Sequence, residues 1–210
     1  MNLLGIRSTV LFMAIFANQA VAAADDIDCG RLQNHFGPFD YRTADQKTRD
    51  LVESFHFTPD VESLRQGNTN MNVMGDINYT LRVFPNHPRA LFSMATLAQR
   101  QKTDKPAGSQ YTVDCWFERA MRFQPEDGQV RLVYGIALLR ANKRKEGIQQ
   151  LEAALTLLGD NANANYNLGL AYFDEKDYQK SLAYAKKAYA AGFSLPGLRR
   201  KLEQAGKWSD

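Results

Sequence analysis

Two cysteines and three histidines are the residues of this chain best suited to covalent, acid–base or metal chemistry: Cys29, Cys115, His35, His56 and His87. Their spacing serves little of it. A zinc site needs ligands a few residues apart, as in His-x3-His or Cys-x2-Cys, and neither spacing occurs. His35, six residues after Cys29, comes nearest to a shared metal. There is no Gly-x-Ser-x-Gly elbow, no phosphate loop and no dinucleotide fingerprint. The sequence therefore predicts no catalytic residue, no metal and no cofactor. His87, between Pro85-Asn86 and Pro88, reads as a turn residue. The acidic group Asp174, Glu175 and Asp177 and the basic stretch 140–145 read as solvated turns.

The covalent event these residues do invite is a disulfide, and it depends on compartment. Residues 1–24 have the pattern of a secretory signal: Arg7 as the one charge, an apolar core over 9–17, and Ala20-Val21-Ala22 as a small-x-small cleavage site. Cleavage after Ala22 gives a signal peptide of 1–22, and the apolar run is too short to span a bilayer as a mature helix. Asp26, Ile27 and Asp28 before Cys29 are not a lipobox. The expected location is periplasmic or secreted. In that oxidising setting Cys29 and Cys115 pair, closing a loop of 115 − 29 = 86 residues and tying the front of the chain to its middle. Two free thiols, with Cys115 as a small core residue, are the alternative.

Composition is that of a folded chain: 210 residues, 44% hydrophobic and 23% charged. The formal net charge is +3, and loss of Arg7 leaves +2, too mild for a nucleic-acid footprint. Residues 23–71 form an accessory segment. Gly37-Pro38 marks a turn, while Phe36, Phe39 and Tyr41 are too apolar to stay in water. A helix over about 44–55 places Leu51, Val52 and Phe55 on one side. Thr58-Pro59 then starts a short helix to Arg65.

From residue 72 onward the pattern is helix after helix. A helix over 72–84 has Ile77, Leu81 and Phe84 inward, and the next begins at Pro88 with Leu91, Met94, Ala95 and Ala98 inward. Tyr134-Gly135 and Leu168-Gly169 stand 34 apart, as do Leu138 and Tyr172, Leu151 and Ala185, and Ala154 and Ala188. This resembles the tetratricopeptide repeat, a helix–turn–helix unit with the pattern W-x2-L-G-x2-Y, then A-x3-F, then P. Leu168-Gly169-x-x-Tyr172 is the best match, and Phe117, Ala120 and Pro125 match the latter half of an earlier copy. Alanine replaces the repeat glycine at Ala95, and six extra residues fall within 101–110, which reads as a protruding loop.

The resemblance implies an all-α fold: a short right-handed superhelix over 72–208. It comprises a partial repeat (72–87), repeats at 88–127, 128–161 and 162–195, and a capping helix (196–208) with Leu198, Leu202 and Ala205 on its inner face. In such repeats the first helix of each pair lines a concave groove. That places Phe92, Thr96 and Gln99 there, then Leu132, Ile136 and Leu139, then Tyr166, Leu170 and Phe173. The lysines and asparagines with which some members clamp a peptide carboxylate are missing. A mainly apolar groove either takes an apolar or aromatic-rich peptide or is filled by the chain's own 30–60 segment. The implied function is an exported protein-binding scaffold of the cell envelope with a protein or peptide partner, and no enzyme. The alternatives are a small-ligand binder or enzyme using the N-terminal aromatics and histidines, and a passive structural subunit.

Overall fold

The computed structural model describes residues 29–209; the signal-peptide reading lies outside them. Among the described residues the chain forms ten α-helices and no strand. The helices are α1 (Gln46–His56), α2 (Pro59–Glu62), α3 (Val73–Val83), α4 (Pro88–Gln101), α5 (Val113–Phe123), α6 (Gly128–Arg140), α7 (Arg144–Leu158), α8 (Ala162–Asp174), α9 (Tyr178–Ala190) and α10 (Gly197–Gln204). After the single helix α3 come three hairpins, α4/α5, α6/α7 and α8/α9, stacked in order, with α10 covering the end. This is an α-solenoid.

Helix starts are written into the sequence as side-chain acceptors. Asp45, Thr58, Asn72, Thr112, Asp127, Asn161 and Asp177 each accept a backbone N–H of the helix they open. His87 does the same for α4, its Nδ1 accepting from Ala90 N at 3.2 Å. The two regular hairpins turn identically. Asn142 (φ 61°) and Lys176 (φ 63°) are left-handed, and the next residue's N–H returns to a carbonyl five back. Lys102 (φ 53°) begins the same turn, with Thr103 N bonded to Ala98 O. The insertion therefore enters after Thr103.

The inserted stretch does not protrude. Asn78 on α3 donates to Gly108 O at 2.7 Å and accepts from Gln110 N at 3.1 Å, while Trp116 Nε1 donates to Ser109 Oγ at 3.0 Å. Pro106 and Ser109 are buried. Backbone groups left over by a longer connection need partners, and here the side chains of Asn78 on α3 and Gln101 on α4 supply some of them.

The N-terminal segment is fastened chiefly to α3 and α5, the second helices of their units, and reaches the first helix α4 near its start, where Ser93 Oγ donates to Glu62 O and Arg89 pairs with Glu53 and Glu62. Cys29 is disulfide-bonded to Cys115. Arg119, 2% exposed, donates through Nη1 to the carbonyls of Cys29, Gly30 and Arg31, and its guanidinium lies over the Tyr111 ring. Phe39 N bonds to Val83 O, and Phe36, Phe39 and Tyr41 gather on Phe84. Buried Asn86 accepts from Tyr41 N and donates to Asp40 and to Asp127, joining the segment to two successive repeat junctions.

Two expected inner faces are corrected. Leu51 and Phe55 are 51% and 53% exposed, and only Val52 of that trio is buried. Helix α1 is oriented by its polar side. Glu53 Oε1 meets His87 Nε2 at 3.1 Å, and His56 Nδ1 meets Asp76 Oδ1 at 2.9 Å. Residues 51 and 55 lie on the opposite side of the helix. Ala205 is exposed because α10 ends at Gln204, whereas Leu198 and Leu202 are fully buried.

Candidate functional site

What separates one hairpin from another is the pair of residues where its helices cross. In α6/α7 the pair is Gly135 and Gly147: a Cβ on Gly135 would stand 2.6 Å from Leu151 Cγ and 3.0 Å from Gly147 O. In α8/α9 it is Gly169 and Ser181, close enough for Ser181 Oγ to donate to Gly169 O at 2.8 Å. The register through the latter half of the repeat puts Val113 in the first hairpin where Gly147 stands in the second, 34 residues on. Its partner is Ala95. Two side chains with Cβ atoms, one of them branched, hold helices apart. Between α4 and α5 the space is filled by Met94, Trp116 and Phe117, all buried. The two helices approach at few points, while those of the other hairpins run together along their length.

The splay leaves a cleft of about 460 Å³ between α4, α6 and the start of α5. Phe92, Ala95, Thr96 and Gln99 come from α4, Val113 and Asp114 from α5, and Tyr134, Ala137, Leu138 and Arg140 from α6. Lys102, Thr103 and Asp104, at the entrance of the insertion, close one end with Asn142 and Lys143 opposite. No residue of the N-terminal segment lines it. On the other side of Phe92 a shallower depression continues along α4 and α6, past Arg89, Ser93, Gln129 and Val133 to Glu62.

Some of the polar groups on its walls are engaged. Tyr134 stacks on Phe117 with centroids 4.4 Å apart and donates its hydroxyl to Asp114 Oδ1 at 3.1 Å. Burial and that carboxylate push its pKa up. Lys143 Nζ holds the other oxygen of Asp114 at 2.8 Å. Arg140 lies over the Phe92 ring, 4.7 Å from its centroid. Thr96 Oγ1 is buried without a hydrogen-bond partner, an uncommon state for a buried hydroxyl. Such a surface can hold an apolar side chain against Phe92, Tyr134 and Val113 and offer polar groups at its edge.

Of the first-helix residues singled out by sequence, Phe92, Thr96 and Gln99 come together in the cleft, Phe92 with 37% exposure. The others do not join them. Leu132 is 4% exposed in a core with Leu151, Leu168 and Tyr172, and Ile136 and Leu139 pack on that core. Tyr166, Leu170 and Phe173 pack with Leu198, Leu202 and Trp208 of the C-terminal cap, and Tyr166 stacks on Phe193 at 4.0 Å. Tyr134, Val113, Arg140 and Lys102 went unpredicted. The departures at Ala95 and Val113, combined with the insertion, were the signal that could have found them.

Two of the three histidines, His56 and His87, serve the scaffold, while His35 is exposed. His56 stacks on Tyr79 at 3.8 Å and meets Asp76, which also accepts from the amides of Asn68, Thr69 and Asn70. Burial works against the Asp76 charge, but these bonds and those from the Thr69 and Asn70 side chains outweigh it, holding its pKa at about 2. His87 is wholly buried, and burial lowers its pKa. Because its Nδ1 accepts from Ala90, its proton sits on Nε2 and is donated to Glu53, whose pKa that bond helps bring down to about 2.

A tetratricopeptide-repeat family profile matches residues 117–194, from within α5 to just beyond α9. Among solved structures 33 chains match. One, the crystal structure of MamA, superposes with a TM-score of 0.50 at 14% identity, covering 78% of this chain and 86% of its own. At that identity the likeness speaks to fold. No curated protein matches by sequence. Repeats and fold together support a protein-interaction scaffold, with the likeness to the tetratricopeptide-repeat family lying in residues 117–194.

Proposed function

We propose that this chain is an exported scaffold of the cell envelope that binds a protein partner through an extended segment laid along α4 and α6. The cleft beside Phe92 is its principal subsite. One observation carries the reading: the first hairpin is held open, and the resulting cleft is free of the chain's own N-terminal segment. Phe92, Thr96 and Gln99 act there directly. Leu132, Ile136, Tyr166, Leu170 and Phe173 act indirectly, by holding the later hairpins in the stack. Export is supported by the signal-like residues 1–22 and by the Cys29–Cys115 disulfide, which suits an oxidising compartment. Among the described residues no helix is long and apolar enough to cross a membrane.

A helix of 14 residues is about 21 Å long, which matches about six residues of extended peptide. Binding is by shape and apolar burial at Phe92 and Tyr134, with energy concentrated in one or two anchors. The test is a plug. Ala137→Trp fills the cleft, and co-purification from an envelope fraction compares it with the parent chain. Loss of the partner at unchanged thermal stability supports the reading; an undiminished yield of partner overturns it.

A further inference from the structure

The cleft is apolar within and positively charged at its rim, and the charges there are unevenly partnered. Of its lining carboxylates, Asp114 is committed to Lys143 and the Tyr134 hydroxyl. Lys102 and Arg140 have no carboxylate partner among the described residues. Arg100, Arg144 and Lys145 stand exposed at neighbouring positions, likewise without one, against Asp104 and Glu146. Arg140 is held in a particular way. Its guanidinium rests on the Phe92 ring, so its donor edge remains available while its face is occupied, the arrangement in which arginine takes a carboxylate through two hydrogen bonds.

Resting on the reading of the cleft as the docking site, we propose that its occupant is an acidic protein segment. An aromatic or branched aliphatic side chain enters between Phe92 and Tyr134, and aspartate or glutamate residues within three positions of it meet Arg140 and Lys102. The anchor supplies burial, and the acids fix direction along α4 and α6 and speed encounter. Neither contact needs a chain terminus, so an internal segment of a partner suffices. The insertion makes this specific to the first repeat, because the wall after Thr103 has no counterpart in the three-residue turns of the later hairpins, and the Lys102 position is Asn142 in the next hairpin.

The experiment is a display selection with random octapeptides embedded between fixed flanks, so that no free carboxylate is offered, against the purified disulfide-bonded chain. Enriched segments are synthesised with a fluorescein label. Each is measured by anisotropy beside its amide counterpart, with Asp and Glu replaced by Asn and Gln. The expected result is enrichment of one apolar anchor near at least two acidic residues. The amide counterparts bind at least tenfold more weakly. The double variant Lys102→Glu, Arg140→Glu loses at least tenfold at an unchanged Tm, and affinity falls with added salt. Neutral or basic segments that still lose binding to Ala137→Trp would overturn the acidic preference while leaving the cleft as the docking site. No enrichment, or enriched segments that bind Ala137→Trp undiminished, overturns both.

Discussion

Replacing Gly135 by alanine sets packing against helix propensity, because the two act in opposite directions. In a helix with nothing against it the change stabilises by about 0.5–1 kcal/mol. Here the new Cβ meets Leu151 Cγ at 2.6 Å and the Gly147 carbonyl oxygen at 3.0 Å. Leu151 is fully buried and the second obstacle is backbone, so relief requires α7 to move as a body. Overpacking of this kind costs about 1–3 kcal/mol, leaving a net loss of about 0–2.5 kcal/mol once propensity is subtracted, with about 1 at its centre. For a chain of this size a loss of about 1 kcal/mol is a fall in Tm of about 2–4 °C. The reciprocal change, Ala95→Gly in the open hairpin, has no crowding to relieve and loses only propensity, about 0.5–1 kcal/mol. Thermal and urea unfolding followed by circular dichroism measure both. If Gly135→Ala proves as stable as the parent or more so, close crossing is not what distinguishes the regular hairpins from the first, and the explanation of the cleft fails with it.

Reduction of Cys29–Cys115 should lower the urea midpoint; for the 86-residue separation the chain-entropy cost is about 4–5 kcal/mol, an upper figure. An unchanged midpoint would mean that the Arg119 and Asn86 contacts hold the segment unaided. Acid should act in two stages. The unfolded chain protonates His87 near pH 6.5 while the folded chain, with its lowered pKa, does not, so stability present above about pH 6.5 declines below it. His87→Asn, which can still cap α4, should flatten that limb in urea titrations between about pH 7 and 5. The lowered pKa values of Glu53 and Asp76, each about 2, add a second loss, complete protection above about pH 4.5 giving way as pH falls toward 2. Stability that is flat from neutral to pH 5 in the parent would refute the role given to His87.

The repeat was legible because its signal is local: Gly135 and Gly169 stand where helices must touch, and the same large and small side chains recur 34 residues on. The position of the insertion was equally plain from its turn chemistry. Its docking was not, since Asn78 lies about thirty residues upstream in a polar setting that periodicity ignores. The groove shows the same limit. A helix face can be read as apolar from Leu132 and Ile136, but not whether it meets solvent or the next hairpin; here it meets α7 and α8. Likewise Tyr166 and Phe173 look like anchors until α10 is laid over them. In α1, hydrophobicity favoured Leu51 and Phe55 as inner residues, and two hydrogen bonds on the buried side, one accepted by Glu53 from His87 and one between His56 and Asp76, decided otherwise.

Whether the guest enters beside Phe92 is tested most directly by a photoreactive residue placed at Gln99, on the wall of the cleft, and in a second strain at Lys186, exposed on the outer helix α9. Illumination of cells should give a discrete adduct from position 99 and none from position 186. An adduct from 186 with none from 99 would contradict the account.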